Sequence, residues 1–101
     1  MIRHVVMWTF ADQAAGADRA ANLARAAEKV AALDGLVPGM RHLEVVVAPE
    51  HLNHTHDLLL IVDFDSADDL AAYRTHPRHV EVASFITAAC ADRAVVDYEV
   101  P

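Results

Sequence analysis

The run Leu58-Leu59-Leu60-Ile61-Val62 constrains this chain more than any other feature. A strand with one solvated face alternates apolar and polar residues, whereas an unbroken apolar run needs cover on both sides. The pattern recurs at Val45-Val46-Val47, and in the first strand Val5 and Met7 oppose the face that carries Val6 and Trp8. A chain of 101 residues has room for one domain, residues 1–101, and for only a few helices. Those helices can cover one face of the sheet. The other face is then expected to meet a second copy related by a two-fold axis, since a large exposed apolar patch marks an interface.

Around these strands the rest of the order can be read. Ile2 to Phe10 is expected as a strand, with Ile2, His4, Val6, Trp8 and Phe10 on one face. Ala14 to Leu33 reads as an alanine-rich amphipathic helix in which Leu23, Ala26, Ala27, Val30 and Leu33 repeat at three- and four-residue intervals. Gly35 ends it and Pro38-Gly39 turns the chain into a second strand, Met40 to Ala48. A polar loop, Pro49 to His56, leads to the third strand, Asp57 to Phe64. Ser66 caps a helix that stops near Thr75, because Pro77 disfavours helical geometry at His76. Pro77 itself suits the first position of a new helix, running to about Cys90, and Ala94 to Val100 is the last strand. The order β-α-β-β-α-α-β implies an α+β, ferredoxin-like sheet with helices on one face. Two such sheets meeting face to face make a dimeric α/β barrel.

Composition removes several function classes. The chain is 54% hydrophobic, yet no stretch approaches the ~18 apolar residues that span a membrane. The short N-terminal apolar run lacks the pattern of a signal peptide, so a cytoplasmic location without membrane attachment is expected. A net charge of −7 with scattered arginines argues against nucleic acid, which requires clustered positive charge. The single cysteine, Cys90, lies in an apolar helical stretch and reads as a small hydrophobe. His51, Asn53, His54, His56 and Asp57 crowd one loop, but a metal site needs ligands held rigidly, so no metal is expected there. No phosphate-binding glycine loop, Cys-x-x-Cys pair or Ser-His-Asp set is present, and no cofactor is implied. Arg93 and Asp97 share a face of the last strand but stand about 13 Å apart along it. They are therefore expected to pair with other strands or across the dimer, with Arg3 and Asp63 as candidates.

Several segments together resemble one family over essentially the whole chain. They are Ile2-Arg3-His4-Val5-Val6-Met7-Trp8-Thr9-Phe10, the Val37-Pro38-Gly39-Met40 turn, and Phe64-Asp65-Ser66 before the helix with Leu70 and Tyr73. His76-Pro77-Arg78-His79-Val80 and Asp92-Arg93-Ala94-Val95-Val96-Asp97-Tyr98 complete the pattern. The chain is thereby similar to the stress-responsive dimeric α/β-barrel (Dabb) family, which includes olivetolic acid cyclase-like polyketide cyclases. The resemblance implies a homodimer and three functional outcomes. The first is a cofactor-independent cyclase or lyase of the aldol type, acting on a hydrophobic, carbonyl-bearing, polyketide-like metabolite. The others are a non-catalytic stress-responsive or ligand-binding dimer and a cofactor-free monooxygenase.

The same resemblance makes Tyr73 and His79 the catalytic pair and places His4 in the cavity. At the third-strand position where the cyclase carries a further histidine, this chain has Leu58. Trp8 is expected as core or cavity lining, so His4, Trp8 and Leu58 are the candidate substrate contacts. For His79 there is also an independent physical reason. It falls in the first turn of the helix begun by Pro77, where the positive end of the dipole disfavours imidazolium. A neutral imidazole is what a general base near pH 7 must be.

Overall fold

The computed structural model describes residues 1–101. Its elements are β1 (Ile2–Phe10), β2 (Gln13–Ala14), β3 (Ala17–Asp18), α1 (Arg19–Ala31), β4 (Met40–Val47), β5 (Leu58–Phe64), α2 (Ala67–Thr75), α3 (Pro77–Ala89) and β6 (Cys90–Glu99). The four long strands form one antiparallel sheet in the order β4-β5-β1-β6, so the apolar β5 and β1 are central. All three helices lie on one side, giving the expected ferredoxin-like α+β architecture. No helix is long and apolar enough to cross a membrane.

The core fills the helix side. His4, Val6, Trp8 and Phe10 of β1 and Leu58, Leu60, Val62 and Phe64 of β5 are buried there, against Ala26 and Val30 of α1, Leu70 and Tyr73 of α2, and Ile86 and Ala89 of α3. Register fixes the opposite face: Val5 pairs with Ile61 and Val96, Met7 with Leu59 and Ala94, and Leu59 with Val46. None of the chain's own helices packs on these residues, and Val96 is 62% exposed. At one end this open face turns polar. There Arg3 donates through Nε and Nη2 to the two carboxylate oxygens of Asp63, at 2.8 and 3.0 Å. A buried, doubly bonded carboxylate marks where the apolar patch stops.

Two elements depart from expectation. The helix expected from Ala14 begins only at Arg19, and Gln13–Asp18 instead make a two-stranded hairpin. Ala15 and Gly16 at its tip have φ of 49° and 76°, the left-handed pair that a two-residue hairpin turn requires. Asn22, fully buried, donates its amide to the carbonyls of Ala14 and Ala17 and so fastens the hairpin to α1. Asp18 is the N-cap of α1, accepting from the Ala21 amide at 2.9 Å. The last strand also begins earlier than Ala94. Cys90 closes α3 and opens β6, so it stands at a helix–strand junction rather than within a helix.

Gly39 shows why the turn before β4 reads Pro-Gly. Its φ is +82°, and a Cβ there would lie 2.4 Å from the Asp69 carboxylate. Its carbonyl also accepts from the Asp65 amide, which ties the turn to the start of α2.

Candidate active site

Between the sheet and helices α1 and α3 lies a cavity of about 80 Å³. His4, Trp8, Tyr73, His79 and Arg93 line it together with apolar side chains that include Val6, Leu60 and Ile86. Its exposed lining residues, Thr87 and Arg93, mark the mouth.

The break between α2 and α3 aims His79. Pro77 holds His76 in an extended conformation, φ −62° and ψ 133°, and ends α2 at Thr75. A helix end leaves carbonyls without amide partners. The amide that would have continued the ladder onto the Arg74 carbonyl belongs to Arg78. It is taken instead by Nδ1 of His76, at 3.1 Å, which makes His76 the N-cap of α3. The freed Arg74 carbonyl accepts from Nδ1 of His79 at 3.1 Å. That bond fixes the tautomer and leaves Nε2 as the nitrogen with a lone pair. Burial holds the His79 imidazole below its ordinary pKa, against the opposing pull of this hydrogen bond. The charge of Arg93 and any charge on His4 act in the same direction as burial.

Tyr73 stacks beside it, with ring centroids 4.5 Å apart and planes inclined by 56°, and leans on Phe64 from the other side at 5.1 Å. Burial alone pushes its phenol up to about 12. At neutral pH the group is therefore protonated and acts as a hydrogen-bond donor, not a base.

His4 is the second imidazole. It is buried, and Nδ1 lies 2.5 Å from Oδ1 of Asp97, whose other oxygen accepts from Arg74 at 2.6 Å. Desolvation lowers the His4 pKa more than Asp97 raises it. Burial on its own would raise the Asp97 pKa. The hydrogen bond from His4, with the charges on His4 and Arg74, outweighs burial and leaves Asp97 below the ordinary carboxylate range. The chain Arg74–Asp97–His4 orients the His4 imidazole in the cavity wall, in the way a carboxylate orients an imidazole in many hydrolases.

Of the five site residues expected from sequence, the structure brings four together: His4, Trp8, Tyr73 and His79 all line the cavity. Leu58 is placed beside Trp8 on the same face, but it is buried in the core and does not line the cavity. The sequence reading missed the roles of Asp97 and Arg74. Asp97 does pair across strands, but with His4 and with Arg74 of α2, whereas the candidates Arg3 and Asp63 hold each other on the opposite face. Register carries the missing signal, because His4 stands directly across from Asp97.

The loop histidines are spread apart. His54 Nδ1 bonds the Leu52 carbonyl, His56 Nδ1 meets Thr55 Oγ1, and Asp57 accepts from the Phe10 amide. They do not converge on a point that a cation could occupy.

The sheet is ferredoxin-like, with an apolar open face on one side and an imidazole-lined cavity on the other. Residues 2–100 match the Stress responsive A/B Barrel Domain, and the chain belongs to that family. Among curated proteins none matches significantly. A solved dimeric protein of unknown function with a ferredoxin-like fold, from Bacteroides fragilis, is similar at 27% identity and a TM-score of 0.83, covering 98% of this chain and 95% of its own. The hydroxynitrile lyase of Passiflora edulis shares the fold at 17% identity and a TM-score of 0.78, with 99% and 93% covered. So does SnoaB, a cofactor-independent oxygenase from Streptomyces nogalater, at 12% identity and a TM-score of 0.75, with 99% and 92% covered.

Proposed function

We propose that this protein is a homodimeric, cofactor-independent enzyme of the lyase or cyclase type, with His79 as general base and Tyr73 as oxyanion donor. One observation carries the reading: Tyr73 and His79 stand in ring contact in one cavity, the imidazole oriented by a backbone carbonyl. In the reaction, Nε2 of His79 takes a proton from the carbon next to a carbonyl. The electron pair of the broken C–H bond moves onto the carbonyl oxygen, and the Tyr73 hydroxyl donates to the resulting enolate. Attack of that carbon on a second carbonyl of the same molecule forms the new C–C bond. The alkoxide so made recovers the proton from His79, and the reverse sequence is a retro-aldol cleavage.

The cavity qualifies the substrate. About 80 Å³ is far below the ~300–1,000 Å³ of pockets that enclose drug-sized ligands. The reacting head of the substrate fits inside, and any part of the molecule beyond it must extend past Thr87 and Arg93.

The test is hydrogen–deuterium exchange at the central carbon of acetoacetamide, followed by NMR. The protein is expected to accelerate exchange, and His79→Ala to reduce the acceleration by ~10²–10⁴, the usual contribution of a general base. A binding-only dimer gives saturable binding with no exchange. A monooxygenase consumes dioxygen in step with substrate loss, and either result overturns the proposal.

A further inference from the structure

The cavity holds one charge that the acid–base pair does not use. Arg93 lines it from β6, across from Trp8 in the sheet register. Arg3, Arg19, Arg41 and Arg74 are each matched to an aspartate. Arg93 makes no ion pair or side-chain hydrogen bond, and no Asp or Glu lines the cavity. The guanidinium is not spent on stacking either, since the chain's cation–π contact is Lys29 over Phe85. An unpaired cation beside an apolar cavity, in a chain of net charge −7, is placed for an anion that arrives with the ligand.

We propose that Arg93 is the anion-recognising residue of this cavity and that the ligand is a small oxo acid, its carboxylate on Arg93 and its carbonyl between Tyr73 and His79. The proposal rests on the functional reading only for the position of the carbonyl. Shape favours a carboxylate, because a planar guanidinium binds it through two parallel N–H···O bonds. A phosphate is less suited, as Arg93 is the one permanently charged side chain in the lining. Size agrees: a short oxo acid suits a cavity of about 80 Å³. The position at the mouth lets the carboxylate remain partly solvated while the carbonyl carbon enters the apolar interior.

The experiment compares two nearly isosteric probes, acetoacetate and acetoacetamide, by NMR titration of the wild-type dimer and of Arg93→Gln, Arg93→Lys and Arg25→Gln. Arg25 is likewise unpaired but lies outside the cavity. Wild type and Arg25→Gln are expected to bind acetoacetate roughly ten- to a hundredfold more tightly than the amide, the range for a charge-assisted pair. Arg93→Gln should abolish the preference with an unchanged melting temperature, and Arg93→Lys should restore part of it. Equal affinity for both probes in the wild type overturns the inference. So do absence of saturable acetoacetate binding, a preference that survives Arg93→Gln, and inorganic phosphate binding as tightly with the same dependence on Arg93. The functional reading fails separately, if acetoacetate binds through Arg93 and the protein accelerates central-proton exchange in neither probe.

Discussion

The two faces of the sheet are built from the same strands and solve opposite problems. On the helix side, β1 and β5 place His4, Trp8 and Leu60 around a cavity whose two imidazoles find partners within the chain: His4 with Asp97, His79 with the Arg74 carbonyl. On the open side the same strands present Val5, Met7, Leu59 and Ile61, which have no such cover. One face is completed internally and is free to hold reactive groups in an apolar setting. The other is left without cover by this chain's own elements. Alternation along a strand is what lets the two roles coexist residue by residue.

The strongest test of this division is a charge at the centre of the open face. Ile61 stands between Val5 and Glu44 on a central strand. Ile61→Asp would bury a carboxylate without a partner at a dimer interface, among the most destabilising changes a single residue can make. Light scattering is expected to show loss of the dimer of 11.0 kDa chains, with loss of cooperative melting. If the face is simply solvated, the variant keeps both its mass and its melting temperature, and the comparison collapses.

The imidazoles and the carboxylates are also expected to separate along the pH axis. His4 and His79 on the covered face are both held below their ordinary pKa, chiefly by burial. The folded protein therefore binds fewer protons on them than the unfolded chain does. The stability they contribute is complete above about pH 6.5 and is lost as the pH falls below that value through their lowered folded pKa. The Asp63 carboxyl on the open face is depressed by its hydrogen bonds from Arg3, and Asp97 on the covered face by His4 and Arg74, so these contributions hold until the pH falls below about 4. Melting temperature followed from neutral to acid should decline in two stages, and a His4→Gln, His79→Gln double variant should lose the first. A flat profile down to about pH 5 would show that neither histidine is energetically distinct from a solvated one.

How legible each face was follows from the kind of signal it leaves. The open face was readable because an unbroken apolar run such as Leu58–Val62 has no other explanation in so short a chain. The His76-Pro77 break was readable because proline restricts the residue before it, and the helices stop and start there as expected. The hairpin at Gln13–Asp18 was not, because Ala15 at positive φ looks locally like one more helix-forming alanine. Nor was the Asp97–His4 contact, which depends on the β1–β6 register across 93 residues of sequence. Contacts set by register are invisible to local patterning. Arg93 shows the same limit, since its lack of a partner is defined only once every carboxylate has been placed.

The smallest effect, and the sharpest on the covered face, is expected from Tyr73→Phe. The ring is a core element: it is 1% exposed and packs between Phe64 and His79. Its hydroxyl is different, because burial is the only influence on its pKa and no protein group bonds to it. Removing the oxygen keeps the packing volume and leaves no buried partner unsatisfied, so stability should change by less than about 0.5 kcal/mol. That corresponds to a shift of only a few degrees for a chain of this size. The proposed role still demands a loss of rate, roughly ten- to a thousandfold in the exchange of acetoacetamide, as for a single oxyanion donor. The loss should fall on the maximal rate with little change in the concentration needed for half saturation, because the donor matters most once the enolate forms. If Tyr73 instead orients the bound carbonyl, binding weakens and the maximal rate is kept. A large fall in melting temperature with full exchange activity would make the hydroxyl a structural group and remove it from the chemistry.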